Sequence, residues 1–168
     1  MAFATIDLTK GVTGVLPSAN ATYSTPRKNA QPIIINGDMT IAQRDTSVTG
    51  KTSSGYYTCD RIQLAMNDAG TYTVTQETST SGNAYANGFA EAYRIDCTTA
   101  DASVAADSQL FIKYKVEARD AQVFKKGTAN AEKFTLAFWV KSNKTGTGQV
   151  NLRDEVNTRQ CSATYTIS

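Results

Sequence analysis

Histidine is absent from the chain. That absence removes Ser-His-Asp and Cys-His catalysis, imidazole-based zinc sites and histidine-ligated haem together, since each depends on the ring. Cysteine is scarce: Cys59, Cys97 and Cys161 are the only three, too scattered for a disulfide framework and without a C-x-x-C pair. Each lies in a strand-like segment, which predicts buried, reduced thiols in a protein assembled in a reducing compartment. No apolar run approaches the length, about 18 residues, that a membrane-spanning helix needs. The N-terminus, MAFATIDLTKG, carries Asp7 and lacks the basic and apolar regions of a secretory signal. A strong charge bias is missing too. The net charge is +2 and the densest basic spot is Lys125-Lys126, so neither nucleic acid nor membrane insertion is expected.

Acidic residues are equally sparse as chemistry. The tight pairs are Glu117 with Asp120 and Asp154 with Glu155, and neither pattern sets two carboxylates across a cleft as glycoside hydrolysis requires. Asn67-Asp68 and Asp101 with Asp107 offer oxygens for a structural Ca²⁺. No Asp-x-Asp-x-Asp run accompanies them, and turn chemistry explains them more simply. The expectation is a protein that is not an enzyme and holds no metal or cofactor.

What is present is β pattern. A chain of 168 residues, 40% hydrophobic and 19% charged, suits one folded domain with an extension. Residues 1–30 form a block of small residues with Gly11, Gly14, Pro17 and Pro26 and no sustained periodicity, predicting an extended segment ordered only by partners. From Gln31 onward short β runs alternate with turn residues. Pro32 opens IIIN, Asn36-Gly37 signals a turn, and MTIAQR follows. Period-two alternation places Ile62, Leu64 and Met66 on one face, and Tyr72 with Val74 on another. The same rule groups Phe89, Tyr93, Ile95 and Cys97, then Leu110, Ile112, Tyr114 and Val116, then Phe134, Leu136, Phe138 and Val140. A short helix is predicted through EARDAQVF, closed by Lys125-Lys126-Gly127.

The pattern predicts an all-β fold, an antiparallel jelly-roll-like sandwich over residues 31–168 with one short helix, preceded by the extended N-terminal segment. The closing ATYTIS alternates without a turn after it. Such an end leaves an edge unpaired, so a continuing polypeptide or a partner is expected to complete the module.

Two stretches carry a resemblance. KGVTGVLPSAN resembles a segment near the front of bacteriophage tail-fibre proteins, and IIINGDMTIAQR followed by YYTCDR resembles the opening of a jelly-roll module of phage fibre and virion proteins. The later VEARDAQVFKKGTANAEKFTLAFWVKSNKTGT is similar to that module's helix and central strand. Asn20 is followed by Ala-Thr-Tyr-Ser where the family often continues with Gly-Gly-Thr-Gly, and Ile62 stands where the module usually carries Trp. The resemblance implies a structural virion protein, most often homotrimeric, with host-surface glycan binding in some members. It supplies no ligand residues.

The expected function is therefore that of a phage tail fibre serving host attachment, located in the virion and assembled in the bacterial cytoplasm. A free-standing carbohydrate-binding module and a capsid or head decoration fibre are the alternatives. Val12, Val15, Leu16 and Pro17 are the candidate anchoring and oligomer contacts, joining a homotrimer to other tail or virion proteins. Tyr56, Tyr57, Tyr85 and Trp139 are the candidate glycan contacts, because sugar faces stack on exposed aromatic rings. Trp139 falls on the face opposite Phe138, and covering by the short helix or a neighbouring chain is expected there.

Overall fold

The computed structural model describes residues 33–168; Val12, Val15, Leu16 and Pro17 lie outside the described residues. Seven strands run in the order β1 (Ser47–Lys51), β2 (Ile62–Asn67), β3 (Thr71–Thr78), β4 (Glu91–Thr99), β5 (Gln109–Tyr114), β6 (Gly146–Asp154) and β7 (Arg159–Ile167). Between them lie two single helical turns, α1 (Asn83–Ala86) and α2 (Ala118–Ala121), the second continued by a 3₁₀ turn over Gln122–Phe124. All pairings are antiparallel and form three sheets: β1-β3-β4, β2-β5 and β6-β7. The all-β class read from the sequence holds. No described helix is long and apolar enough to cross a membrane.

The core lies between the first two sheets. Leu64 and Met66 of β2 meet Tyr72 and Val74 of β3, with Val48, Tyr57, Ala69, Tyr93 and Ile95 packed against them. The alternation in IQLAMN and TYTVTQET supplies this arrangement directly, because a strand residue and its second neighbour share a face. Leu64 and Val74 are fully buried, and truncating such a side chain to Ala costs about 2–5 kcal/mol. The chain crosses between the two sheets through Asp68-Ala69-Gly70, where Gly70 has φ +91° and a Cβ would stand 2.5 Å from the Thr99 carbonyl oxygen. Only glycine satisfies both constraints at this corner.

Several expected strands take other forms. Ile33, Ile34 and Ile35 run through bends and a turn, and the turn expected at Asn36-Gly37 is present. Residues 39–44, MTIAQR, join no ladder. KFTLAFWVKS is not a strand: residues 131–142 carry no regular structure, although Phe134 packs on Phe124 at 4.5 Å and Phe138 meets Tyr165 edge-on at 5.2 Å. Alternation marks a two-faced segment, but a strand also needs a neighbour to accept its backbone hydrogen bonds. In their place stand β1 and the β6–β7 hairpin: the polar Thr, Gly and Asn content of β1 and β6 had hidden their periodicity, whereas β7 takes up the alternating ATYTI. The helix falls where expected, shortened to α2 and the 3₁₀ turn and ended by Lys125 in the left-handed conformation (φ +49°). The single turn α1 was not anticipated.

The apolar face of β5 is registered correctly against β2, with Ile62 opposite Tyr114, Leu64 opposite Ile112 and Met66 opposite Leu110. Yet Leu110 is 40% and Ile112 54% exposed, and β5 ends at Tyr114 rather than Glu117. No described segment covers that part of the sheet. Phe89 likewise falls before β4 and is exposed. The expectation for the cysteines is corrected in part. All three are free, but only Cys59 is buried; Cys97 and Cys161 are exposed on β4 and β7. Cys59 also lies in a bend before β2 and not in a strand.

Candidate functional site

The site begins at Asn36. Its backbone is left-handed (φ +59°), a conformation Asn tolerates better than most residues. Its side chain is used in full at the interior end: Oδ1 accepts from the Ile41 N–H, while Nδ2 donates to the carbonyls of Ile41 and Asp60, each at 2.9 Å. The Asp60 N–H in turn donates to the Ile41 carbonyl at 2.8 Å. One buried amide therefore ties residues 36–41 to the approach of β2, 24 residues later. Gln76 of β3 secures the same loop by donating to the Met39 carbonyl at 2.7 Å.

This staple sets Gln43 and Arg44 beside Asp60 and Arg61. The Arg44 guanidinium donates through Nη1 to Asp60 Oδ1 at 3.2 Å, and its Cζ lies 5.9 Å from the centre of the Tyr56 ring. Arg61, itself left-handed with φ +71°, donates through Nη1 to Glu117, the residue that precedes α2. The hydrogen bond and charge of Arg61 hold the Glu117 carboxyl below its ordinary range, and Glu117 raises Arg61 in return.

Two adjoining depressions lie over these residues. One, of about 340 Å³, is lined by Gln43, Arg44, Asp60 and Arg61; the other, of about 240 Å³, by Arg44, Tyr56, Arg61, Lys115 and Glu117. Arg44 and Arg61 line both. Three cations against two carboxylates leave the groove with a surplus of one positive charge. In each ion pair a single guanidinium nitrogen is engaged, which leaves the other N–H groups of the fork without a protein partner among the described residues. The groove presents N–H donors, carboxylate acceptors, a carboxamide and one aromatic ring.

Of the aromatic residues singled out from the sequence, Tyr56 lines this groove and is 37% exposed. Tyr57 is instead half-buried against the core; its hydroxyl donates to the Ser53 carbonyl and Lys51 Nζ lies 5.0 Å from its ring centre. Tyr85 is exposed on α1, and Trp139 is 53% exposed in the segment that forms no strand; neither lines the groove. The covering expected for Trp139 is not supplied by the short helix, whose Phe124 stacks on Phe134. Arg44, Arg61, Lys115 and Glu117 were not among the candidate contacts. Gln43-Arg44 and Asp60-Arg61 do stand inside the quoted motifs, which was the available signal. Lys115 and Glu117 carried none, since alternation marks them only as solvent-facing.

No protein-family model, no curated protein and no solved structure matches the chain.

Proposed function

We propose that the chain is a structural virion protein, a bacteriophage tail-fibre component serving host attachment. Residues 31–168 are its jelly-roll β-sandwich module, and residues 1–30 are its anchoring and trimerisation segment. The observation that carries this reading is the meeting of Asn36-Gly37-Asp38, Gln43-Arg44 and Asp60-Arg61 around one buried amide. Those three pieces are the ones that resemble the fibre module's opening. Their residue types have a physical reason to recur together: the Asn side chain closes the loop, and the Asp carboxylate holds the Arg.

The uncovered apolar faces support an assembly. Leu110 and Ile112 on β5, with Phe134, Leu136, Phe138, Trp139 and Val140 beyond α2, are all exposed, more apolar surface than a solitary module usually leaves bare. In a fibre, copies of the chain around a threefold axis bury such faces against each other. Val12, Val15 and Leu16 add apolar contacts at the front, where Pro17 favours an extended path.

Light scattering on the full chain tests this reading. A trimer is expected at micromolar concentration, and replacing Val15 and Leu16 by Asp is expected to abolish it while the far-UV spectrum stays unchanged, because an unpaired buried carboxylate is strongly disfavoured. Incorporation into particles should be lost with the same double variant. A wild-type chain that is monomeric, or particles that accept the variant normally, would overturn the proposal.

A further inference from the structure

We propose that the groove between Arg44 and Arg61 binds an acidic saccharide, a uronate carboxylate seating between the two guanidiniums with Lys115 as the third cation and Tyr56 at the rim. This deepens the attachment reading and rests on it, by naming the class of surface glycan that the module meets.

The charge of the groove comes first. Arg44, Arg61 and Lys115 face Asp60 and Glu117, and Lys115 makes no ion pair among the described residues. One negative charge brought in by a ligand therefore balances the site. The donors come second. Guanidinium presents a planar fork that matches a carboxylate with two parallel hydrogen bonds, and both arginines spend only Nη1 on their protein partners.

Positioning is the third point. Asp60 holds Arg44, and the Asp60 main chain is held by Asn36 at 2.9 Å. A side chain that already leans on a partner loses less entropy when a ligand arrives. Around the charges stand groups suited to hydroxyls and a sugar face: the Gln43 carboxamide, the Asp60 and Glu117 oxygens and the Tyr56 ring. A nucleic-acid strand would need a continuous basic track with several stacking rings, and the groove offers one ring within a chain of net charge +2.

Glu117 has a defined part in this arrangement. Its carboxylate lies beside the Arg61 guanidinium, where its negative charge repels an incoming carboxylate. Removing its charge while keeping its shape should strengthen binding of an acidic sugar, the reverse of what loss of an ordinary contact does.

Calorimetric titration of the full chain with trigalacturonate tests the proposal, beside its methyl ester, inorganic phosphate and a short single-stranded oligonucleotide. Trigalacturonate should bind, more weakly as salt rises, and the uncharged ester at least about tenfold more weakly, the factor that one charge-assisted hydrogen bond typically contributes. Arg44→Gln should reduce affinity about tenfold and Lys115→Gln about threefold, whereas Glu117→Gln should increase it about threefold, magnitudes ordinary for partly exposed charges. Each variant is checked by urea unfolding, so that a lost fold is not read as a lost contact. Equal binding of the ester, equal binding of phosphate or oligonucleotide, weakening by Glu117→Gln, or no binding of trigalacturonate would each overturn the acidic-saccharide site. The fibre reading is decided separately, by the trimer and its Val15 and Leu16 variants.

Discussion

Asn36 donates from its side-chain amide to the main-chain oxygen of Asp60 at 2.9 Å, joining a loop to the turn that precedes β2, 24 residues away. The same Asp60 holds Arg44 through its carboxylate. A residue that finishes the fold thereby sets the geometry of the surface groove. Stability and recognition meet at one carboxamide.

Replacing Asn36 tests that dependence. Asn36 is 9% exposed and makes three hydrogen bonds with its side chain. Asn36→Ala leaves two carbonyls and one N–H without that partner, and is expected to lower stability by about 2–4 kcal/mol in urea unfolding. Asn36→Asp keeps the acceptor for the Ile41 N–H but sets a negative oxygen against two carbonyls, and should be no better. Wild-type stability in either variant would contradict the role assigned to this side chain.

Tyr93 carries the opposite expectation. Its ring packs against the core, yet its hydroxyl is buried and has no hydrogen-bonding partner among the described residues. Burial first, then the nearby Cys59 and Tyr57 charges, push its ionisation above the ordinary tyrosine range. Tyr93→Phe removes the unsatisfied group and should be neutral or stabilising by up to about 2 kcal/mol at pH 7. The pH dependence follows from linkage. A group with a raised folded pKa contributes fully below its unfolded value, here about 10, and that contribution is lost as pH rises beyond it. Unfolding midpoints of the wild type should therefore fall more steeply above pH 10, the ordinary value, than those of Tyr93→Phe. Parallel curves would refute the burial of the hydroxyl.

The thiols separate into two kinds. Cys97 and Cys161 are exposed whereas Cys59 is buried and its ionisation is raised, chiefly by burial. Alkylation of the native protein near pH 8 is expected to modify Cys97 and Cys161 readily and Cys59 only after denaturation, since the thiolate is the reactive form. Peptide mapping reads all three positions. Rapid native labelling at Cys59 would argue against the packing around the bend that holds it. Protection of Cys97 or Cys161 in the full assembly would mark strands β4 or β7 as covered by neighbouring copies.

Trp139 is the only tryptophan of the chain, so its fluorescence reports one site. Within a single chain it is 53% exposed. If the apolar segment around it is buried on assembly, emission should shift to shorter wavelength as protein concentration rises, in step with the mass from light scattering. Trp139→Asp should weaken the assembly strongly, because it places a charge in a contact that excludes water. A trimer whose Trp139 emission matches that of the isolated chain would remove this segment from the interface.

The β class and the central packing were legible in the order of residues alone. Ile62, Leu64 and Met66, then Tyr72 and Val74, alternate so cleanly that burial of one face follows from strand geometry. The tertiary structure alone decided which alternating runs became strands. KFTLAFWVKS has the period but no neighbouring ladder, while SVTGK lacks a clear period and is held as β1 by its pairing with β3. The groove divided in the same way. Gln43-Arg44 and Asp60-Arg61 were visible as motif pieces, but their meeting with Lys115 and Glu117 depends on separations of more than 50 residues that no local pattern records. Periodicity is a property of neighbours in sequence, and so it reveals faces. Hydrogen-bonded pairing and charge convergence are properties of neighbours in space, and only the folded chain brings those together.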